Sequence, residues 1–456
     1  MSSQFSQFNL SSSMIDALSS LGYEQMTQIQ FKSLPFILKN RDVIAQAKTG
    51  SGKTALFGIG VLNKLNVKRF RIQALIMCPT RELANQVASE LRKIARFSHN
   101  IKILTLCGGV SYNTQMHSLS HQAHIVIGTP GRVLKHFQND NIEYGYIETL
   151  VLDEADRMLD MGFSEDIENI ISYIPKKRQT LLFSATFPEN INTLSKNILI
   201  NPETIEVKST HEKSVIIQEF YEVENYNKLD IVQRIINNEE AKCIVIFCNT
   251  KIACDKLADD LYDIKILSLV LHSDLDQRER NETLIMFANK SYPILIATDV
   301  AARGIDIKDI DLVINYDLPF DNEVYIHRIG RTGRAGAKGK AVSLIANEEQ
   351  LCELEKYLDD KIIKRYIDNL PDNKIFNIQS EFSTLFINGG KKNKIRAGDI
   401  LGALTAGIGI HKDDIGKIDI LDLCSFVGVK KSIKQKALDG LSNGRIKGKY
   451  FKVFPK

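Results

Sequence analysis

Short continuous apolar runs recur along the chain, separated by stretches in which apolar residues return every three or four positions. DVIAQ (42–46), QALIMC (73–78), HIVIG (124–128), TLVLD (149–153) and TLLFS (180–184) form one series, and KCIVIFC (242–248), YPILIAT (292–298), DLVINY (311–316) and KAVSLIA (340–346) form a second. Runs of Ile, Val and Leu alternating with amphipathic helices predict parallel strands covered on both faces. Two series predict two α/β domains, over residues 1–205 and 206–372, with the polar, aperiodic stretch 201–214 as their linker. The pattern then changes. Residues 383–404 read as a strand, a glycine turn, four basic residues and a helix; 415–429 as two strands; 430–441 as a basic helix; and 444–454 as a last strand. That β-α-β-β-α-β order predicts an RRM-like α+β domain over residues 376–456.

Composition adds little until charge is placed along the chain. At roughly 150 residues per domain, 456 residues predict about three. The start, MSSQFSQFNLSSS, lacks the basic residues and apolar core of a secretory signal. No apolar run approaches the ~18 residues that span a bilayer. The seven cysteines form no CxxC pair, and Cys78, Cys107, Cys243 and Cys248 lie in or beside apolar runs. Buried reduced thiols in a cytoplasmic protein are therefore expected. Residues 380–456 hold fifteen Lys/Arg against seven Asp/Glu, a net of +8; the whole chain carries +4, so the preceding 379 residues carry −4. A basic appendage on an acidic body predicts contact with nucleic acid.

The run TLVLD leads straight into three carboxylates, Asp153, Glu154 and Asp156. Carboxylates crowded at a buried strand end repel one another unless a cation is near. The stretch AQAKTGSGKTALF (45–57) supplies the context. It follows a predicted strand and opens a helix, in the pattern AxxxxGKT. Ala47, Lys48, Thr49, Gly50, Ser51 and Gly52 form a loop whose N–H groups can wrap phosphate oxygens. Lys53 adds a cation, and the Thr54 hydroxyl can ligate Mg²⁺. Asp153 then suits Mg²⁺, partly through water, and Glu154 suits the orientation or deprotonation of an attacking water.

On these residues the chain resembles the DEAD-box ATP-dependent RNA helicases, the four residues from Asp153 to Asp156 spelling the family name. The resemblance runs from about Phe5 to Ala346, with the motifs in family order. It implies two RecA-like parallel-sheet P-loop domains in tandem, with ATP and Mg²⁺ as cofactors and RNA as partner. In GYEQMTQIQ (22–30), Gln30 resembles the glutamine that reads adenine, and Phe5 the upstream aromatic that stacks on it. Met26 and Gln28 stand where the family has proline. PTREL, with Pro79, Thr80 and Arg81, GG, with Gly109, and TPGR, with Thr129, Gly131 and Arg132, resemble the first domain's contacts to the RNA backbone. SAT (184–186) resembles the motif coupling ATP to unwinding, so Ser184 and Thr186 are expected on Asp156. In the second series Thr250, Gln277, Arg280 and Thr298 resemble RNA contacts, and Gly304 and Asp306 contacts to the nucleotide ribose. HRIGRTGR (327–334) supplies Arg331 and Arg334, which resemble arginine fingers, and His327, which would join the Asp156 network.

The last 75 or so residues resemble the C-terminal domain of the bacterial DbpA (YxiN) helicases through GGKKNKIRAGDILGALT, DIGKIDI and GRIKGK. That resemblance implies recognition of hairpin 92 in 23S ribosomal RNA and action on large-subunit (50S) assembly intermediates. Lys391, Lys392, Lys394, Arg396, Lys447 and Lys449 are the expected RNA contacts. Phe386 and Phe426 sit on predicted strands, open to either base stacking or core packing. Three alternatives stand beside the ribosomal reading: a general RNA remodeller, a DNA translocase, and an RNA-binding platform with weak ATPase.

Overall fold

The strand-forming runs carry so few polar residues because their strands are buried on both faces. In the computed structural model, which describes residues 4–47, 51–207, 216–224, 226–299, 310–333, 339–346, 348–355, 363–371 and 378–456, the chain divides into two compact units, Met1–His211 and Glu212–Lys456. The first holds β1 (Val43–Gln46), β2 (Ala74–Met77), β3 (Ile103–Leu106), β4 (Ile125–Gly128), β5 (Thr149–Leu152), β6 (Gln179–Ser184) and β7 (Glu203–Glu206). They form one parallel sheet in the order β3-β4-β2-β5-β6-β1-β7. Strands β2, β4, β5 and β6 are buried at every position. β3 and β7 carry no continuous apolar run because they are the sheet's edges, half open to solvent. β7 also corrects the expected linker, whose first residues pair with β1.

The second unit repeats the plan with β8 (Ile216–Glu222), β9 (Ile244–Phe247), β10 (Ser268–Leu271), β11 (Ile294–Ala297), β12 (Leu312–Asn315), β13 (Gly339–Ile345) and β14 (Ile363–Arg365). Their order is β10-β11-β9-β12-β13-β8-β14, again parallel. β8 escapes the apolar pattern because it buries Gln218 and Glu219. Both are partnered: Tyr325 donates its hydroxyl to Gln218 at 2.9 Å, and Glu219 takes Lys340 at 2.9 Å and Arg365 at 2.8 Å. A buried carboxylate held by two cations is tolerable where a lone one is not.

The same unit carries a four-stranded antiparallel sheet of β15 (Phe382–Ile387), β16 (Ile415–Ile420), β17 (Ser425–Lys430) and β18 (Val453–Pro455), ordered β16-β17-β15-β18. Helices Ala397–Gly402 and Lys434–Asn443 fall where the β-α-β-β-α-β reading puts them. One sheet face packs Leu385, Ile387, Val427 and Val429 on those helices. The other does not stand open. Thr384, fully buried, meets Ser291 at 2.6 Å and Asn289 at 3.3 Å, both just past helix Gln277–Ala288. Lys456 reaches Glu282 of that helix at 2.7 Å. Among the described residues no helix is long and apolar enough to cross a membrane.

Candidate nucleotide and RNA sites

In an open parallel sheet, binding loops gather beyond the carboxyl ends of the strands. In the first unit, β1, β5 and β6 carry the phosphate loop, the acidic run and SAT, while β2, β3 and β4 carry PTREL, GG and TPGR. The two sets therefore occupy opposite halves of one crest.

Helix Lys53–Lys64 begins behind Gly52, whose φ of 90° lies in the left-handed region. A Cβ there would also sit 2.6 Å from Nε2 of Gln30, so only glycine fits. Gln30 Nε2 donates to the Gly52 carbonyl at 3.0 Å, and Thr27 Oγ1 donates to the Ser51 carbonyl at 2.8 Å. The other end of the Gln30 amide accepts from the Thr27 N–H at 2.9 Å, closing a capping box on helix Gln28–Leu38. The helix thus starts cleanly without the family's prolines, and Met26 is buried in the core. Phe5 is also a core residue, 3% exposed. Ala47 is held by its N–H to Ser184 O at 3.0 Å, and Lys53 Nζ donates to the Ala47 carbonyl at 2.8 Å. Among the described residues, the Ser51 hydroxyl is buried without a partner. Thr54 follows in the first helical turn. Lys48, Thr49 and Gly50 lie outside the described residues.

Asp153 follows β5 directly and is 3% exposed, with Oδ1 buried and without a partner among the described residues. Burial pushes its carboxyl up to about 7, against the pull of Lys53 and with Glu154 and Asp156 adding to the rise. Glu154 adopts a left-handed conformation, φ 53° and ψ 54°, which costs a non-glycine residue of order 1–3 kcal/mol and tends to persist at functional sites. Its Oε2 accepts from Arg157 Nη1 at 2.7 Å, a buried pair the sequence reading did not single out. Asp156 faces the next motif. Its Oδ2 accepts from the N–H groups of Ala185 and Thr186 at 3.0 and 2.9 Å and from Thr186 Oγ1 at 3.1 Å, and Oδ1 accepts from the Arg157 N–H at 3.0 Å. Burial would raise this carboxyl, but the donors around it outweigh burial and hold it below the usual range. The Ser184 hydroxyl donates to the Thr186 carbonyl at 2.7 Å and shapes the turn.

On the other half of the crest, Thr80 follows Pro79 and caps helix Arg81–Ile94, its Oγ1 accepting from Leu83 N–H at 3.2 Å. The Arg81 guanidinium lies against Gly108, where a Cβ would come within 2.7 Å of Nη2. Gly109 has φ 71°. Thr129 and Gly131 flank the Pro130 that opens helix Pro130–Gln138. Arg132 donates through Nη1 to Val110 O at 3.0 Å and to Gln115 Oε1 at 2.8 Å.

In the second unit Thr250 caps helix Lys251–Asp263. Gln277 and Arg280 stand in the first turn of helix Gln277–Ala288, behind an Asp276 capping box. Thr298 follows β11, with its N–H on Leu271 O at 3.2 Å. His327 lies on helix Asn322–Ile329, and Arg331, 8% exposed, just beyond it. Between them sits a residue that sequence reasoning missed. Arg328, 1% exposed, takes both oxygens of Asp299 at 2.6 Å, Asn249 Oδ1 at 2.8 Å, Asn315 Oδ1 at 3.3 Å and Asp317 O at 2.5 Å. It ties together the loops after β9, β11 and β12; only its place inside HRIGR hinted at it. Gly304, Asp306 and Arg334 lie outside the described residues.

Lys391, Lys392, Lys394 and Arg396 are exposed on one loop of the antiparallel domain, and Lys447 and Lys449 are exposed on another. The two loops meet: Lys447 Nζ donates to Lys394 O at 2.7 Å and lies 3.6 Å from Asp399. The two basic loops are thus neighbours on the domain surface. Phe426 is fully buried, and Phe386 packs edge-on to it with centroids 5.4 Å apart. Phe426 is therefore a packing residue.

Comparison with known proteins agrees with this layout. The DEAD/DEAH box helicase family matches residues 27–194, the helicase conserved C-terminal domain residues 227–336, and the DbpA RNA binding domain residues 384–455. The chain is 48% identical to the ATP-dependent RNA helicase DbpA of Escherichia coli over 438 residues, covering 96% of this chain and 95% of that one. It is 39% identical to the Bacillus subtilis protein of the same name, over 99% of each chain. Among solved structures, Saccharomyces cerevisiae Dbp5 bound to RNA and ADP BeF3 is similar with a TM-score of 0.74 and 31% identity, covering 81% of this chain and 97% of that one.

Proposed function

The chain belongs to the DEAD-box ATP-dependent RNA helicases of the DbpA type, an ATP-hydrolysing enzyme family, and from that premise we propose which residues serve each step and where on RNA the enzyme acts. Lys53 and the N–H groups of the loop around it bind the triphosphate, and Gln30 reads adenine. Asp153 and the Thr54 hydroxyl hold Mg²⁺; the buried Oδ1 of Asp153, without a partner among the described residues, fits a hard cation, which also favours the ionised form that burial disfavours. The bound ion supplies charge neutralisation on the phosphates. Glu154 orients the attacking water and accepts its proton. Asp156 relays the state of this site to the SAT turn through the hydrogen bonds that already join them. By the family resemblance, Arg331 and Arg334 are the cations assigned to the γ-phosphate. Arg81, Arg132, Gln277 and Arg280 grip the RNA backbone together with Pro79, Thr80, Gly109, Thr129, Gly131, Thr250 and Thr298.

Backbone contacts carry no sequence information, so the target is chosen by the C-terminal domain. We assign it hairpin 92 of 23S ribosomal RNA, within large-subunit assembly in the cytoplasm. The observation that carries this is the pair of neighbouring basic loops at 391–396 and 447–449, in a domain matched as a DbpA RNA-binding domain. ATPase activation by an RNA fragment holding the hairpin, set against generic RNA of equal length, tests it. The hairpin fragment is expected to activate at far lower concentration. Equal activation by both would favour a general RNA remodeller.

A further inference from the structure

Three buried hydrogen bonds at the proposed RNA end of the first unit converge on a residue that belongs to none of the motifs. Gln115 lies on helix Tyr112–Ser120 and is 4% exposed. Its Nε2 donates to the Cys107 carbonyl at 2.8 Å, at the root of the GG loop. Its Oε1 accepts twice, from Arg132 Nη1 at 2.8 Å and from His136 Nε2 at 3.1 Å. These partners settle the amide's orientation, since a carbonyl can only accept and a guanidinium can only donate. They also settle the His136 tautomer: Nε2 carries the proton, leaving Nδ1 to accept from Asn141 Nδ2 at 3.5 Å. His136 is fully buried and stacks on Tyr112, with ring centroids 4.4 Å apart and planes 7° from parallel. The same Tyr112 ring faces the Arg132 guanidinium at 5.9 Å and the Lys135 ammonium at 5.2 Å. Its hydroxyl accepts from Asn141 Nδ2 at 2.6 Å.

We propose that Gln115 is a positioning residue for RNA binding, the buried amide that locks the Arg132 guanidinium to the GG loop in its RNA-ready direction. The inference rests on the assignment of Arg132 to RNA contact. A surface arginine has many rotamers to lose when it binds a phosphate. Arg132 is instead pre-aimed by Gln115 Oε1 and Val110 O. These two bonds occupy Nη1, and the rest of the planar fork keeps its direction for an incoming phosphate. Through Cys107 the same amide fixes where the GG backbone stands, so two separate backbone grips hold their spacing. His136 behind it occupies the second lone pair of Oε1 and keeps the amide from turning.

The test is RNA-stimulated ATPase of the full chain with Gln115→Met, which keeps length and apolar volume but none of the three hydrogen bonds. The RNA concentration for half-maximal activity is expected to rise about tenfold, the size of a lost hydrogen bond to a charged group, while kcat at saturating RNA is kept. Binding of a fluorescent ADP analogue reports whether the first unit has stayed folded. Should Gln115→Met fail that check, Gln115→Asn keeps the amide but, one methylene shorter, withdraws it from Arg132 and Cys107, and it must raise the RNA requirement in the same direction. Repeating Gln115→Met on an Arg132→Ala background separates positioning from general packing: the extra loss should shrink to what the Cys107 bond alone carries. A loss that persists undiminished without Arg132, or a fall in kcat with no change in RNA requirement, overturns the proposal. If Arg132→Ala alone leaves RNA affinity untouched, the failure lies instead in assigning Arg132 to RNA.

Discussion

Glu154 is the residue at which conformation, charge and chemistry meet. It holds a left-handed backbone that a glycine would adopt without cost, and its carboxylate is already paired with Arg157. Glu154→Gln keeps the shape and removes the proposed base, so ATP binding should survive while turnover falls by ~10²–10⁴, read as single-turnover hydrolysis beside nucleotide affinity. Turnover close to wild type would remove Glu154 from its role. His136 sets a different pH signature. Burial, with Arg132 and Lys135 nearby, pushes its imidazole down to about 4 from the usual 6.5. The folded state therefore holds fewer protons than the unfolded chain between those values, and stability present at neutral pH is lost as pH falls from about 6.5 toward 4. Melting temperature should drop less steeply over that range in His136→Asn than in the parent. Parallel pH curves would show that the ring carries no linkage.

At the scale of elements, helix Gln277–Ala288 joins residues proposed for RNA contact at one end to a sheet contact at the other. Its first turn holds Gln277 and Arg280, and the residues past its last turn, Asn289 and Ser291, bond to Thr384 under the antiparallel sheet. Thr384→Val keeps the volume and strands two buried polar groups, a loss of about 1–3 kcal/mol. Chemical denaturation should show the lower midpoint, with faster amide exchange at residues 289–291; unchanged exchange there would mean that the sheet is held by its apolar contacts. The elements also mark where pattern reading stops. The central strands were legible because burial on both faces demands uninterrupted apolar residues. β3, β7, β10 and β14 were not, because an edge strand faces water on one side, and β8 was hidden by Gln218 and Glu219.

For the whole molecule, the division between a catalytic body and a basic appendage was already visible as −4 against +8 along the chain. A chain ending at residue 372 keeps the described strands of both parallel sheets and should still hydrolyse ATP when RNA is abundant, but lose the preference proposed for the hairpin. Binding of the full chain to that hairpin should weaken with salt by roughly 0.7–0.9 in log–log slope per neutralised phosphate, and Lys391, Lys392 and Lys394 replaced together should flatten the slope. A truncated chain that still prefers the hairpin would place recognition elsewhere. By itself the sequence determined the strand order's raw material, the phosphate loop, the acidic run and the charge asymmetry, because each of these is local: a few neighbouring residues whose types and spacing carry the chemistry. Only the tertiary structure decided the partners of buried polar groups. Arg328 with Asp299, Glu219 with Lys340 and Arg365, Thr384 with Ser291, and Gln115 with Arg132 and His136 all join residues from different elements. A buried hydrogen bond or ion pair is worth having only when both partners arrive together, and chain order says nothing of which distant side chains will meet.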